Sequence, residues 1–196
     1  MGGTYYPQLL ASRILNDSRV DQSGADDGDV TGWDPSAQII LATQIGYNGK
    51  DTAASAYKLQ WRNETDNPGG SFADVGASGE VKYAATSSAL SDGTALTEVN
   101  SRCQTQGASM TWQNGLENVN DNVLPDSGTL DLGSDCYTEL QWALSLADGD
   151  PGDQYTFQLY NTTEGAAVGT CGAQLTLQAD LALIPVLMET YRRLRN

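Results

Sequence analysis

The sequence predicts an all-β fold of the antiparallel β-sandwich class, and three observations carry that prediction. Short segments alternate apolar and polar residues with period two, clusters of Gly, Asp and Asn separate them, and no long amphipathic helix lies between residues 36 and 178. A parallel α/β sheet needs such helices as crossovers, so their absence selects the antiparallel class. The chain divides on this reading into an N-terminal arm and linker (1–34), a sandwich domain (35–178) and a C-terminal segment (179–196). At 196 residues it is long enough to bury a core without covalent staples.

Residues 1–34 differ in texture from the rest of the chain. Tyr5-Tyr6-Pro7-Gln8-Leu9-Leu10 is an apolar patch, residues 11–20 have the composition of a short helix, and residues 21–34 form a Gly/Asp-rich linker without periodicity. An extended arm outside the core is expected. The strand series opens with the apolar run at 39–43. Tyr57, Leu59 and Trp61 then alternate with Lys58, Gln60 and Arg62, the pattern of a half-buried strand. Asp66-Asn67-Pro68-Gly69-Gly70 reads as a turn, with 72–75 as the returning strand. Segments 81–84, 96–99 and 109–112 are weaker strands.

The strongest strand covers 136–146, with Leu140, Trp142, Leu144 and Leu146 facing inward and Tyr137, Glu139, Gln141 and Ser145 outward. Helix formers compete in this window, but the turn at 148–153 and the Tyr155, Phe157, Leu159 alternation after it favour a hairpin. Leu175 and Leu177 end the series. After Pro185 a short helix is expected, with Leu187, Tyr191 and Leu194 on one face. Arg192, Arg193 and Arg195 place cations where the helix dipole favours them.

Charge narrows the partners. Against 25 acidic residues stand 10 basic ones, a formal net charge of -15, and 18 of the acids are Asp. Such a surface repels nucleic acid, whose binding requires rows of Lys and Arg, and it repels anionic membranes. Neither is expected as a partner. Asp in preference to Glu suits turns. The N-terminal residues lack the basic start and apolar run of a signal peptide, and the apolar stretch at 181–188 is too short for a bilayer and contains Pro185. A protein made and used without export is the expectation.

The side-chain chemistry points away from catalysis. No histidine is present, which excludes Ser-His-Asp and Cys-His arrangements, and no glycine loop precedes a helix to cradle phosphate. Paired carboxylates remain formally open, but the strand-linked acids Glu139 and Asp74 read as solvated outward residues. Cys103, Cys136 and Cys171 are odd in number and widely spaced, small buried hydrophobes by preference, with one disulfide plus a free thiol as the competing arrangement. The Asp clusters at 26–34 and 148–153 lack the spacing of a helix-flanked calcium loop and serve as turns. No cofactor and no metal are expected. Trp61 and Trp142 read as core; Trp33 and Trp112, flanked by polar residues, are free to stack on a sugar. Glycosylation triplets begin at Asn16, Asn63 and Asn161.

Several pieces together resemble tailed-phage and environmental-virus virion proteins with Ig-like sandwich domains. They are Tyr57-Lys58-Leu59-Gln60-Trp61-Arg62, Phe72-Ala73-Asp74-Val75, Leu90-Ser91-Asp92-Gly93-Thr94-Ala95-Leu96-Thr97, Tyr137-Thr138-Glu139-Leu140-Gln141-Trp142-Ala143-Leu144 and Gly152-Asp153-Gln154-Tyr155-Thr156-Phe157-Gln158-Leu159. The resemblance implies an Ig-like or jelly-roll-type sandwich and a structural role in a virion assembled in a host cytoplasm. Capsid decoration is the first expectation; a tail or fibre component and a carbohydrate-binding adhesion module are the alternatives. The implied partners are other virion proteins, of capsid or tail, and further copies of the chain in a homo-oligomer. The flanking arms carry the expected contacts, through Tyr5, Tyr6, Leu9 and Leu10 at one end and Leu187, Tyr191, Arg192, Arg193 and Arg195 at the other.

Overall fold

The computed structural model describes residues 5–47, 52–103, 110–125 and 128–179. Among the described residues the regular structure is all strand apart from one 3-10 turn at Glu98–Asn100. The strands are β1 (Gln8–Asn16), β2 (Val30–Trp33), β3 (Ile39–Tyr47), β4 (Tyr57–Asn63), β5 (Ala73–Asp74), β6 (Lys82–Tyr83), β7 (Ala95–Leu96), β8 (Thr111–Trp112), β9 (Gly115–Asn118), β10 (Cys136–Ser145), β11 (Gln154–Asn161) and β12 (Ala166–Leu177). They build two sheets. The first runs β1-β3-β10-β9-β7, with β6 and β8 also pairing with β10; the second runs β2-β12-β11-β4-β5. Both are mixed, because β8 and β9 run parallel to β10 and β2 runs parallel to β12. The purely antiparallel expectation is corrected there.

One apolar core joins the sheets. Ile14, Leu41, Leu140, Trp142 and Leu144 of the first cluster with Tyr57, Leu59, Tyr155, Phe157, Leu159 and Leu175 of the second. The inward set expected on β10 is therefore buried as period-two alternation requires. Each such Leu or Phe contributes about 1.5–3 kcal/mol by leaving water, and the Trp142 indole N–H is satisfied by the Thr43 hydroxyl at 3.2 Å.

The other face of the first sheet is not solvent. Ala11, Leu15, Ile40, Ala42 and Ala143 lie under Ala84, Leu90, Cys103 and Val119, which come from the segment between β6 and β10. Tyr137, Glu139 and Gln141, expected to face water, are all buried. The sequence pattern assigns residues to a face; it does not reveal that a poorly patterned loop covers that face.

The N-terminal expectation changes most. Residues expected as a short helix and free arm form β1, paired with β3 from Gln8↔Gly46 to Asn16↔Ile39, and Ile14 and Leu15 are fully buried. The Gly/Asp-rich stretch after β1 seals its outer edge. Asp27 Oδ1 accepts from Ser12 N at 2.8 Å and from its hydroxyl at 2.7 Å. Asp27 N donates to Ser12 O at 2.8 Å, and Gln22 N to Ile14 O at 2.9 Å. Ser23 Oγ accepts from Ile14 N at 2.8 Å. An edge strand with unpaired amides invites pairing with another chain, and this loop removes the opportunity. The helix expected after Pro185 lies outside the described residues.

Candidate functional site

The covered face of the first sheet holds a belt of polar side chains in cross-strand register. Arg13 of β1 stands opposite Ala42 of β3, Ala42 opposite Gln141 of β10, and Gln141 opposite Glu117 of β9. Loops bring partners to every charge in this row. Arg13 pairs with Asp26 through Nε at 2.6 Å and with Asp21 through Nη1 at 2.5 Å. Burial works against its charge, and the two carboxylates more than offset it, so the guanidinium titrates above its ordinary value. Arg19 pairs with Glu117 and donates to Gln141 Oε1 at 3.1 Å.

Glu139, one row further along, is fully buried. Its carboxylate accepts from the Ser101 hydroxyl at 2.8 Å, from Arg102 N at 3.0 Å, from Cys103 N at 2.8 Å and from Gln141 Nε2 at 2.7 Å. It thereby nails the 101–103 segment to the sheet. A buried carboxylate is tolerable only when its lone pairs are occupied in this way. Asp74, the other strand-linked acid, is exposed and bonded to Lys58 at 2.6 Å and Gln60 at 2.8 Å.

Above the belt opens a cleft of about 540 Å³ lined by Arg13, Arg19, Glu98, Ser101, Arg102 and Tyr137, among others. Arg102 differs from its neighbours: its guanidinium donates to the main-chain carbonyls of Arg19 at 3.1 Å, Val99 at 3.2 Å and Ser101 at 3.1 Å. These bonds tie together the loop segments carrying Val20 and Val99, which expose 55% and 86% of their surface and are two of the three large apolar side chains most open to water among the described residues. Tyr137 closes one wall, its hydroxyl 3.3 Å from Glu98 and its ring edge-on to Trp112 at 5.4 Å. Burial and the nearby Glu98 raise its pKa.

The expected contact residues lie elsewhere. The Tyr5 ring tilts against Tyr47 at 5.5 Å and its carbonyl accepts from Ala53 N at 2.7 Å. Tyr6 and Leu10 are half-buried, and Leu9 packs against the main core. Leu187, Tyr191, Arg192, Arg193 and Arg195 lie outside the described residues. Cleft residues Arg13, Arg19 and Arg102, and Glu117 of the belt beneath them, carry no motif. No local signal singles them out: Arg13 lies between Ser12 and Ile14, Arg19 between Ser18 and Val20, and Glu117 between Leu116 and Asn118.

The tryptophans also redistribute. Trp142 is core, whereas Trp61 is half-buried and lines a pocket of about 190 Å³ with Asn63, Asp66, Asn67 and Glu80. Trp33 packs on the core edge and donates from its indole to Ala37 O at 3.1 Å. Asn63 and Asn161 are buried, and their side-chain oxygens cap turns by accepting from Thr65 N and Thr163 N, both at 2.9 Å. Those two triplets are turn signals in this fold. All three cysteines are free thiols, and burial pushes Cys171 up to about 12.

Comparison with protein-family models, with curated proteins and with solved structures finds no match to this chain.

Proposed function

We propose that this chain is a non-enzymatic structural protein of a virion, a β-sandwich of Ig-like or jelly-roll type that decorates a capsid by contacting neighbouring proteins. The observation that carries the reading is the cleft on the covered face. The charges beneath it, buried Arg13, Glu117 and Glu139 and half-buried Arg19, are consumed in fixing loops to the sheet. Two exposed apolar side chains, Val20 and Val99, stand on the segments that the Arg102 guanidinium ties together through the Arg19 and Val99 carbonyls. Exposed apolar side chains on segments anchored by an arginine are the composition of a protein contact rather than of a reaction centre. The strongly acidic surface keeps free copies soluble before assembly, and the C-terminal segment supplies further contacts between subunits.

The test is cosedimentation of the purified chain with particles that lack it. Val20→Asp combined with Val99→Asp, both at exposed positions, weakens capture at least tenfold while leaving the melting temperature unchanged. Capture unchanged by the pair removes the cleft from the contact.

A second reading, an adhesion module, is favoured by the Trp61 pocket, since an aromatic face ringed by Asn63, Asp66, Asn67 and Glu80 has the chemistry of a monosaccharide site. Glycan-array binding abolished by Trp61→Ala supports it, and an array without signal removes it.

A further inference from the structure

We infer that the groove beside β2 receives the C-terminal segment of a second copy of this chain, with Arg192, Arg193 and Arg195 held by Asp29 and Asp34. The inference rests on the reading that copies of the chain associate with one another.

Sheet ends are the places where a second chain adds, and the ends of this fold are unequal. The β1 edge is sealed by the 21–28 loop, and β5 and β7 have 2 residues each. β2, with 4 residues, ends the second sheet and borders a groove of about 470 Å³ lined by Gln22, Asp29, Thr31, Trp33 and Asp34, among others. Both acids use one oxygen inside the fold. Asp29 Oδ1 accepts from Gln174 N at 3.0 Å, and Asp34 Oδ1 accepts from Ser36 N at 2.9 Å and its hydroxyl at 2.8 Å. The second oxygen of each is left for a cation at the groove wall, next to the half-buried Trp33 ring, on which a guanidinium stacks well.

Charge selects the occupant. Two copies at -15 each repel, so a contact between them must set cations against acids. Three of the chain's 10 basic residues lie in its last five positions. Placement sets the geometry. Leu177 pairs with Trp33, and Gln178 N donates to Trp33 O at 2.8 Å, so every copy releases its C-terminal segment beside its own groove. Two copies set edge to edge by a two-fold axis bring each segment to the other's groove, and both grooves fill at once. Residues 180–196 reach roughly 55 Å when extended. The segment supplies apolar side chains as well as charge, with Leu187 and Tyr191 available to cover Trp33.

The experiment is sedimentation equilibrium of the full chain at low salt. Asp29→Asn with Asp34→Asn keeps the internal acceptors, and Arg192→Gln with Arg193→Gln and Arg195→Gln touches only the donor. Each set weakens self-association at least tenfold, and a chain carrying Asp29→Arg, Asp34→Arg, Arg192→Asp, Arg193→Asp and Arg195→Asp together regains it. Association that ignores these changes overturns the inference, as does a full chain that stays monomeric. In both cases the chain's presence in washed particles is scored separately, so the inference can fail while the virion reading stands.

Discussion

Glu139 sits on the strand most clearly written in the sequence, yet its surroundings are not legible there. Alternation correctly assigns Leu140 and Trp142 to the core and Glu139 to the opposite face. That face is covered by the segment carrying Leu90 and Cys103, which shows little periodicity of its own, so local pattern alone suggests a solvated acid. The buried carboxylate instead takes hydrogen bonds from two main-chain amides, a hydroxyl and an amide side chain. Glu139→Ala leaves those donors without an acceptor in a dry site, and about 3 kcal/mol of stability is lost, since bonds to charged groups contribute about 1.5–3 kcal/mol each. Urea unfolding checks this; a loss below about 0.5 kcal/mol would mean water replaces the carboxylate. Glu64 provides a pH-dependent counterpart. The Arg62 guanidinium holds its carboxyl below the ordinary 4.5, although burial pushes the other way. With the folded value below the unfolded one, ionised Glu64 stabilises the fold above about pH 4.5, and that contribution is lost as the pH falls through the folded value. Glu64→Gln therefore costs stability at pH 7, and the gap to the wild type closes as the pH falls through the folded value. A gap of constant size would exclude the ion pair as its cause.

At the scale of elements, β1 shows what local sequence conceals. Residues 11–20 contain competent helix formers, and because Ile14 and Leu15 are both buried, one on each face of the sheet, no simple alternation marks the strand. Pairing with β3 decides the conformation, a tertiary effect that overrides weak propensity. The glycines and aspartates of the loop after β1 suggest a linker, and they equally suit it to fold back as an edge cover. Close packing enforces its position: a Cβ at Gly172 of β12 would lie 2.4 Å from the Asp27 Cβ. Asp27→Ala removes the acceptor for the Ser12 amide, so hydrogen exchange at Ser12 accelerates at least tenfold while exchange in β10 is unchanged. Equal acceleration in both strands would show that Asp27 supports the whole fold rather than one edge.

For the whole molecule, the two-sheet architecture with a shared core is legible from alternation and turns, whereas the parallel pairings of β2, β8 and β9 are not, because a short strand carries no mark of direction. The sequence places the contact function at the chain ends. Tyr5 and Leu9 are instead seated on the chain's own strands, and the outward features are the exposed Val20 and Val99 and the β2 groove. Both arise from loops that pack onto the sheets, an arrangement fixed by long-range contacts. We propose that the molecule works as a repeated surface component of a particle. Quantitative mass spectrometry of salt-washed virions measures this directly. The chain is predicted at hundreds of copies per particle, in fixed ratio to the major capsid protein, and its absence from the washed particles would contradict the claim.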